Sequence, residues 1–244
     1  MPFIDLHSHV LPGVDDGPKT WDETMRMLRR AAQSGTGTIV ATPHSRDRAS
    51  WEDTGTLRRL CDQANETLRS EELQLAVVLG MENSLLFGTT KRVQAGDGLT
   101  YNGSRYVLVE LPFLQLPLYW EEEMFQMQLQ DYIPLIAHPE RQAQIQERPE
   151  LLAPVIERGI LAQVTAGSLT GVFGPRVKKA AERLVSKGLV QVIASDCHVP
   201  DGPRNPDLTD GVWAAAKLIG EKRALAMATT VPQAIISGQP LPAL

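Results

Sequence analysis

Phe3-Ile4-Asp5-Leu6-His7-Ser8-His9 and Thr38-Ile39-Val40-Ala41-Thr42-Pro43-His44 decide the fold between them. Each is a short apolar, partly β-branched run that leads into histidine and is bounded by polar residues, Gly or Pro, the pattern of a buried parallel strand. Between the two, Trp21, Met25, Leu28 and Ala32 share one helical face, and Thr20-x-x-Glu23 is a capping box at its start. Similar apolar runs follow at Leu75–Leu79, Tyr106–Val109, Ile133–Ala137, Ile160–Val164 and Leu189–Ala194, which with Phe3–Leu6 and Thr38–Ala41 make seven predicted strands. Val177, Ala180, Ala181, Leu184 and Val185 form another helical stripe, with Gly188 as its C-cap. Gly211–Leu218 and Glu221–Ala228 have helical texture, and no further strand follows. Strand alternating with helix predicts an α/β chain with parallel strands and helices outside. Seven strands favour a distorted, TIM-like (β/α)7 barrel over an open sheet. No linker, repeat or low-complexity tract divides residues 1–244, so a single domain is expected.

Composition removes several classes of function. The chain has 24 Lys and Arg against 29 Asp and Glu, a net charge of −5 without a basic stripe, which argues against nucleic acid as a partner. Met1-Pro2-Phe3-Ile4-Asp5 lacks the basic segment of a signal peptide, and no apolar run reaches the roughly 18 residues of a membrane helix. Cys61 and Cys197 are then expected to be reduced thiols in a cytoplasmic protein.

The five histidines, His7, His9, His44, His138 and His198, all follow immediately after predicted strands, where barrel enzymes place their active sites. Carboxylates join them. Asp15 and Asp16 compete for one role in the loop after the first strand, Glu82 follows the third, Glu110 ends the fourth, and Asp196 precedes His198. His7 and His9 are alternate residues and project to one side of a strand end. Imidazole with carboxylate suits Zn²⁺, Mn²⁺ or Fe, and the lack of thiolate ligands argues against a structural zinc site. Nine candidate ligands are too many for one ion and suffice for two or three. Three divalent ions would outweigh four carboxylates, leaving positive charge that attracts an anion and lowers the pKa of water. Arg46, Arg48, Arg141 and Arg204 lie within a few residues of these ligands and can grip phosphate oxygens. The chemistry that emerges is phosphate ester hydrolysis.

Asp5-Leu6-His7-Ser8-His9, Val14-Asp15-Asp16-Gly17, Thr42-Pro43-His44, Gly80-Met81-Glu82, Ile136-Ala137-His138-Pro139-Glu140-Arg141 and Ser195-Asp196-Cys197-His198 resemble, in order, the motifs of the PHP (polymerase and histidinol phosphatase) superfamily. Within it the chain is most similar to the bacterial manganese-dependent protein tyrosine phosphatases of capsule and exopolysaccharide operons. The resemblance implies three divalent ions, Mn²⁺ by family habit. His7, His9, Glu82 and Asp196 would hold the first, Glu82 with Glu110 and His138 the second, and Asp16, His44 and His198 the third. Asp196 and His198 would thus be catalytic, together with Arg141 and Arg204 on the phosphate, with Arg46 or Arg48 assisting. It also implies that a metal-bridging hydroxide attacks phosphorus without a covalent enzyme intermediate. The implied substrate is the phosphotyrosine tail of a bacterial tyrosine kinase that controls polysaccharide export.

Three alternatives are weighed against that reading. Histidinol phosphatase, or another small-molecule phosphoesterase, would use the same ligands, although relatives of that type are often longer. An amidohydrolase also opens with His-x-His but places a carbamylated Lys where this chain has Glu110. A cysteine phosphatase needs five residues between Cys and Arg, whereas six separate Cys197 from Arg204, in a Pro-rich loop.

Overall fold

In the computed structural model, which describes residues 1–242, the third predicted strand is followed at once by an eighth, short strand that was not predicted. The strands are β1 (Phe3–Ser8), β2 (Thr36–Ala41), β3 (Ala76–Leu79), β4 (Glu82–Ser84), β5 (Tyr106–Glu110), β6 (Ile133–Ala137), β7 (Leu161–Thr165) and β8 (Val192–Ala194). Gly80-Met81 separates β3 from β4. A Cβ on Gly80 would stand 3.1 Å from Val40 and 3.3 Å from Thr42, so a larger residue there would have to press both side chains aside. The chain turns there and continues along the segment after β2, with Glu82 N–H donating to the Pro43 carbonyl and Ser45 N–H to that of Glu82. Two all-parallel sheets result, ordered β1-β2-β3 and β4-β5-β6-β7-β8. Isolated parallel bridges, His44 after β2 with Glu82 of β4 and Ser8 of β1 with Cys197 after β8, tie the first sheet to both edges of the second.

The strands read as continuous apolar runs because both of their faces are buried. Ile4, Leu6, Val40, Tyr106, Leu108, Leu135 and Val192 pack together on one face. Val107, Val109, Ile136, Ala162, Val164 and Ile193 alternate with them and pack outward with Met124, Leu184 and Val212 of the surrounding helices. Helix Trp21–Gln33 carries the expected capping box and buries Met25 and Leu28. Helix Pro175–Ser186 ends two residues before Gly188, whose φ of +69° reverses the chain.

Three details depart from the sequence reading. β1 runs on to Ser8, so His7 lies within a strand and not after it. Glu82 opens a strand of its own. A helix at Thr230–Ile236 covers the foot of β1, and its Val231 and Ile235 join the inner cluster with Ile4.

Candidate metal centre

Parallel pairing brings the C-terminal ends of the strands to one side, and the nine candidate ligands converge there. Glu82 is the hub. Its Oε1 lies 2.9 Å from His138 Nε2 and 3.3 Å from His7 Nε2, and its Oε2 lies 2.8 Å from His44 Nδ1 and 3.4 Å from His9 Nε2. Asp196 Oδ1 is 3.6 Å from the Nε2 of both His7 and His9. Asp16 reaches in from an exposed loop, 3.4 Å from His44 Nε2 and 3.1 Å from His198 Nε2. Glu110 Oε1 is 3.8 Å from His138 Nε2. Three overlapping groups have ligand atoms within 4.8 Å of one another: His9, Asp16, His44 and His198; His7, His9 and Glu82; and His44, Glu82 and Glu110.

The donor set fits cations better than it fits hydrogen bonds. His7 Nδ1 is held 2.9 Å from Gln163 Oε1 and His9 Nδ1 2.7 Å from Asp15 Oδ2, so each ring donates outward. With both rings neutral, their two Nε2 atoms face each other at 3.3 Å as acceptors with no donor between them, a clash that a proton or a shared cation relieves. His44 Nδ1 is buried and, although close to Glu82, has no aligned hydrogen bond. Burial of the His9 ring opposes protonation, yet Asp15 and Glu82 overcome it and push the group up to about 10, a measure of how strongly this point favours positive charge. Asp16 is held far below the usual carboxylate range by its hydrogen bonds with His198 and His44. His138 and His198 are pulled down, chiefly by burial, toward the neutral form in which imidazole is a ligand.

Arginines ring the cluster. Arg141 donates to Asp196 Oδ2 at 2.7 Å, and Arg204 donates to Asp196 Oδ1 at 2.9 Å. Arg48 pairs with Glu110. Arg46 is not brought to the cluster: its guanidinium lies over the Trp51 ring, 5.1 Å from the centroid. The difference comes from a tight turn in which Arg48 N–H donates to the Ser45 carbonyl, folding Arg48 back and leaving Arg46 outside.

Several neighbours escape the sequence reading. Phe113 stacks on the His138 ring and on Arg141, and Phe173 covers both Arg141 and Arg204. Asp15 is a partner of His9 and of the His44 backbone N–H as well as the Gly17 turn. Asp5, a buried residue of β1, accepts from the backbone and hydroxyl of Ser195 and so ties the Asp196 loop to β1. Gln163 was signalled only as the one polar residue in an otherwise apolar strand. Replacing it tests its role. Gln163→Leu frees His7 Nδ1 and is expected to weaken Mn²⁺ binding by about 10- to 100-fold, measured by titrating the metal-free protein, with kcat recovering at saturating metal. Cys197 belongs to no such cluster. Its thiol is fully buried, and burial pushes it well above the ordinary thiol range, so it supplies no thiolate.

Known proteins resemble this chain along most of its length. The family of capsular polysaccharide synthesis, CpsB/CapC, aligns with residues 3–237. The chain is 38% identical to the tyrosine-protein phosphatase YwqE of Bacillus subtilis over 196 residues, 80% of this chain and 77% of that one. It is 27% identical to the tyrosine-protein phosphatase CpsB of Streptococcus pneumoniae over 242 residues, 97% and 99% of the two chains. A crystal structure from work on YwqE and CpsB, described as unique metal-dependent tyrosine phosphatases, superposes with a TM-score of 0.92 at 33% identity, covering 98% of this chain and 96% of that one. A β-aspartyl dipeptidase from Fervidobacterium islandicum, 15% identical with a TM-score of 0.61 over 96% of this chain and 72% of its own, shares the fold alone.

Proposed function

Because this chain belongs to the CpsB/CapC family of capsular polysaccharide synthesis, we propose that it is a metal-dependent protein tyrosine phosphatase whose substrate is the phosphotyrosine tail of a bacterial tyrosine kinase. The bridges that tie the first sheet to both edges of the second support a closed, distorted (β/α)7 barrel, with residues 1–244 acting as one domain. No helix among the described residues is long and apolar enough to cross a membrane, in keeping with work in the cytoplasm.

The observation that carries the reading is Glu82, one carboxylate whose two oxygens each face two imidazoles. That geometry suits a ligand shared between ions. His7, His9, Glu82 and Asp196 would hold one Mn²⁺, Glu82, Glu110 and His138 a second, and Asp16, His44 and His198 a third. Divalent cations bound there lower the pKa of water and offset the charge of a phosphoryl group. The chain's own residues do the rest. Arg141 and Arg204 present N–H donors to phosphate oxygens, aligned by Asp196 between them and by Phe173 above them. Arg48 extends this rim beside Glu110. All three guanidiniums remain partly exposed, so a phosphate on a peptide can reach them. The leaving phenolate has an ordinary pKa of about 10, which makes less demand on an acid than an alkoxide would.

The test is substrate choice. With Mn²⁺ present, kcat/KM for a phosphotyrosine peptide is expected to exceed that for histidinol phosphate. The reverse order would keep the phosphoesterase site and overturn the protein substrate.

A further inference from the structure

On the loops that follow β4 and β5 the protein holds large apolar side chains out in water. Phe87, Leu114 and Leu118 are 84%, 83% and 104% exposed, respectively. Phe87 lies just after β4, the short strand that Glu82 opens, and Leu114 and Leu118 lie in the loop after β5, the strand that Glu110 ends. Scattered exposed leucines need no explanation, but here the two loops touch: the Phe87 ring meets the Tyr119 ring edge-on at 5.9 Å.

Buried polar contacts hold both loops in place. Glu123 is buried and accepts from the N–H groups of Gly88 and Thr90, fixing the first loop. Phe113 O accepts from the Ala143 N–H, and Leu116 N–H donates to Gln144 Oε1, fixing the second. A cleft of about 600 Å³ opens next to Phe87 and Tyr119, with Lys91 and Glu122 on its rim. It has room for an aliphatic or aromatic side chain. The loop is also continuous with the phosphate site, because Phe113, five residues before Leu118, stacks on Arg141.

We propose that Phe87, Leu118 and Tyr119 form a docking ridge for apolar or aromatic side chains that flank the phosphotyrosine in a peptide substrate. The occupant follows from continuity. A chain whose phosphate lies at Arg141 passes Phe113 and meets the ridge within a few residues, and an ordered apolar surface there binds a flexible peptide without first having to be organised. The inference rests on the phosphatase reading above and names what that site selects.

Three substrates test it: p-nitrophenyl phosphate, a phosphotyrosine peptide with Gly and Ser flanks, and the same peptide with Leu and Phe flanks. The native protein is expected to favour the apolar-flanked peptide by about tenfold in kcat/KM. Phe87→Ser combined with Leu118→Ser should abolish that preference while p-nitrophenyl phosphate hydrolysis stays within about twofold, since an aryl phosphate does not reach the ridge. Both side chains are exposed, so the aryl phosphate rate also reports that the variant is folded. Flank preference that survives the double substitution, or is absent from the native protein, overturns the ridge. So does a native dimer that the substitutions dissociate without flank preference in either form, because a second copy would then be the occupant. A native protein that hydrolyses no aryl phosphate with Mn²⁺ would instead take down the phosphatase reading, and the ridge with it.

Discussion

Glu82→Gln is expected to lower kcat/KM by on the order of 10³-fold or more and to strip metal from the site, while leaving the fold in place. The substitution keeps volume and shape, so the packing around β4 has no cavity to absorb. What changes is charge and lone pairs. Glu82 is fully buried, and burial alone would raise its pKa; His7, His138 and His44 around it outweigh that and hold it well below the usual carboxylate range. A neutral amide offers one acceptor oxygen where four imidazoles face two, and its NH₂ points a donor at nitrogens that need to bind cations. Metal analysis of the folded variant checks the claim directly. A variant that keeps its metal and activity within about tenfold of native would remove Glu82 from the centre of the account.

Arg141→Lys is expected to cost about 10²-fold in kcat/KM, and Arg141→Ala about 10³-fold, with metal content unchanged in both. That contrast with Glu82→Gln separates substrate binding from metal binding. Arg141 is clamped by the Phe113 and Phe173 rings, with centroids 4.8 and 4.7 Å from its guanidinium carbon, and fixed end-on by Asp196. A lysine keeps the charge, but it has no planar face to stack between the rings and no fork to span two phosphate oxygens. If Arg141→Lys were as active as native, charge alone would be sufficient there and the stacked geometry would have no role in the reaction.

How much of this was legible in the sequence varies with the range of the interaction. The seven apolar runs announced parallel strands because both strand faces are buried, so pattern and burial coincide. The short strand Glu82–Ser84 was not legible, because its place rests on backbone bonds to Pro43 and Ser45, beyond the end of β2. Helix Thr230–Ile236 was hidden by Pro232, which reads as a breaker but sits in the first turn, where its missing N–H costs no hydrogen bond. The candidate ligands stood out because each is a local event, a histidine or acid at a strand end. Their partners did not. Gln163 meets His7 across 156 residues of sequence, and Phe173 reaches Arg141 from a loop that carries no motif. The choice between Arg46 and Arg48 rests on a single turn at Ser45 and could not be made from the order of residues.

Hydrolysis is expected to depend on metal held by the histidine and carboxylate cluster and not on a thiol. Phosphotyrosine peptide hydrolysis should therefore be measured on native protein, after dialysis against EDTA, after Mn²⁺ is restored, and after iodoacetamide. Loss with EDTA, recovery with Mn²⁺ and indifference to alkylation are expected, since Cys197 is buried and burial pushes Cys61 up to about 12. Activity that ignores EDTA and disappears with iodoacetamide would contradict that expectation.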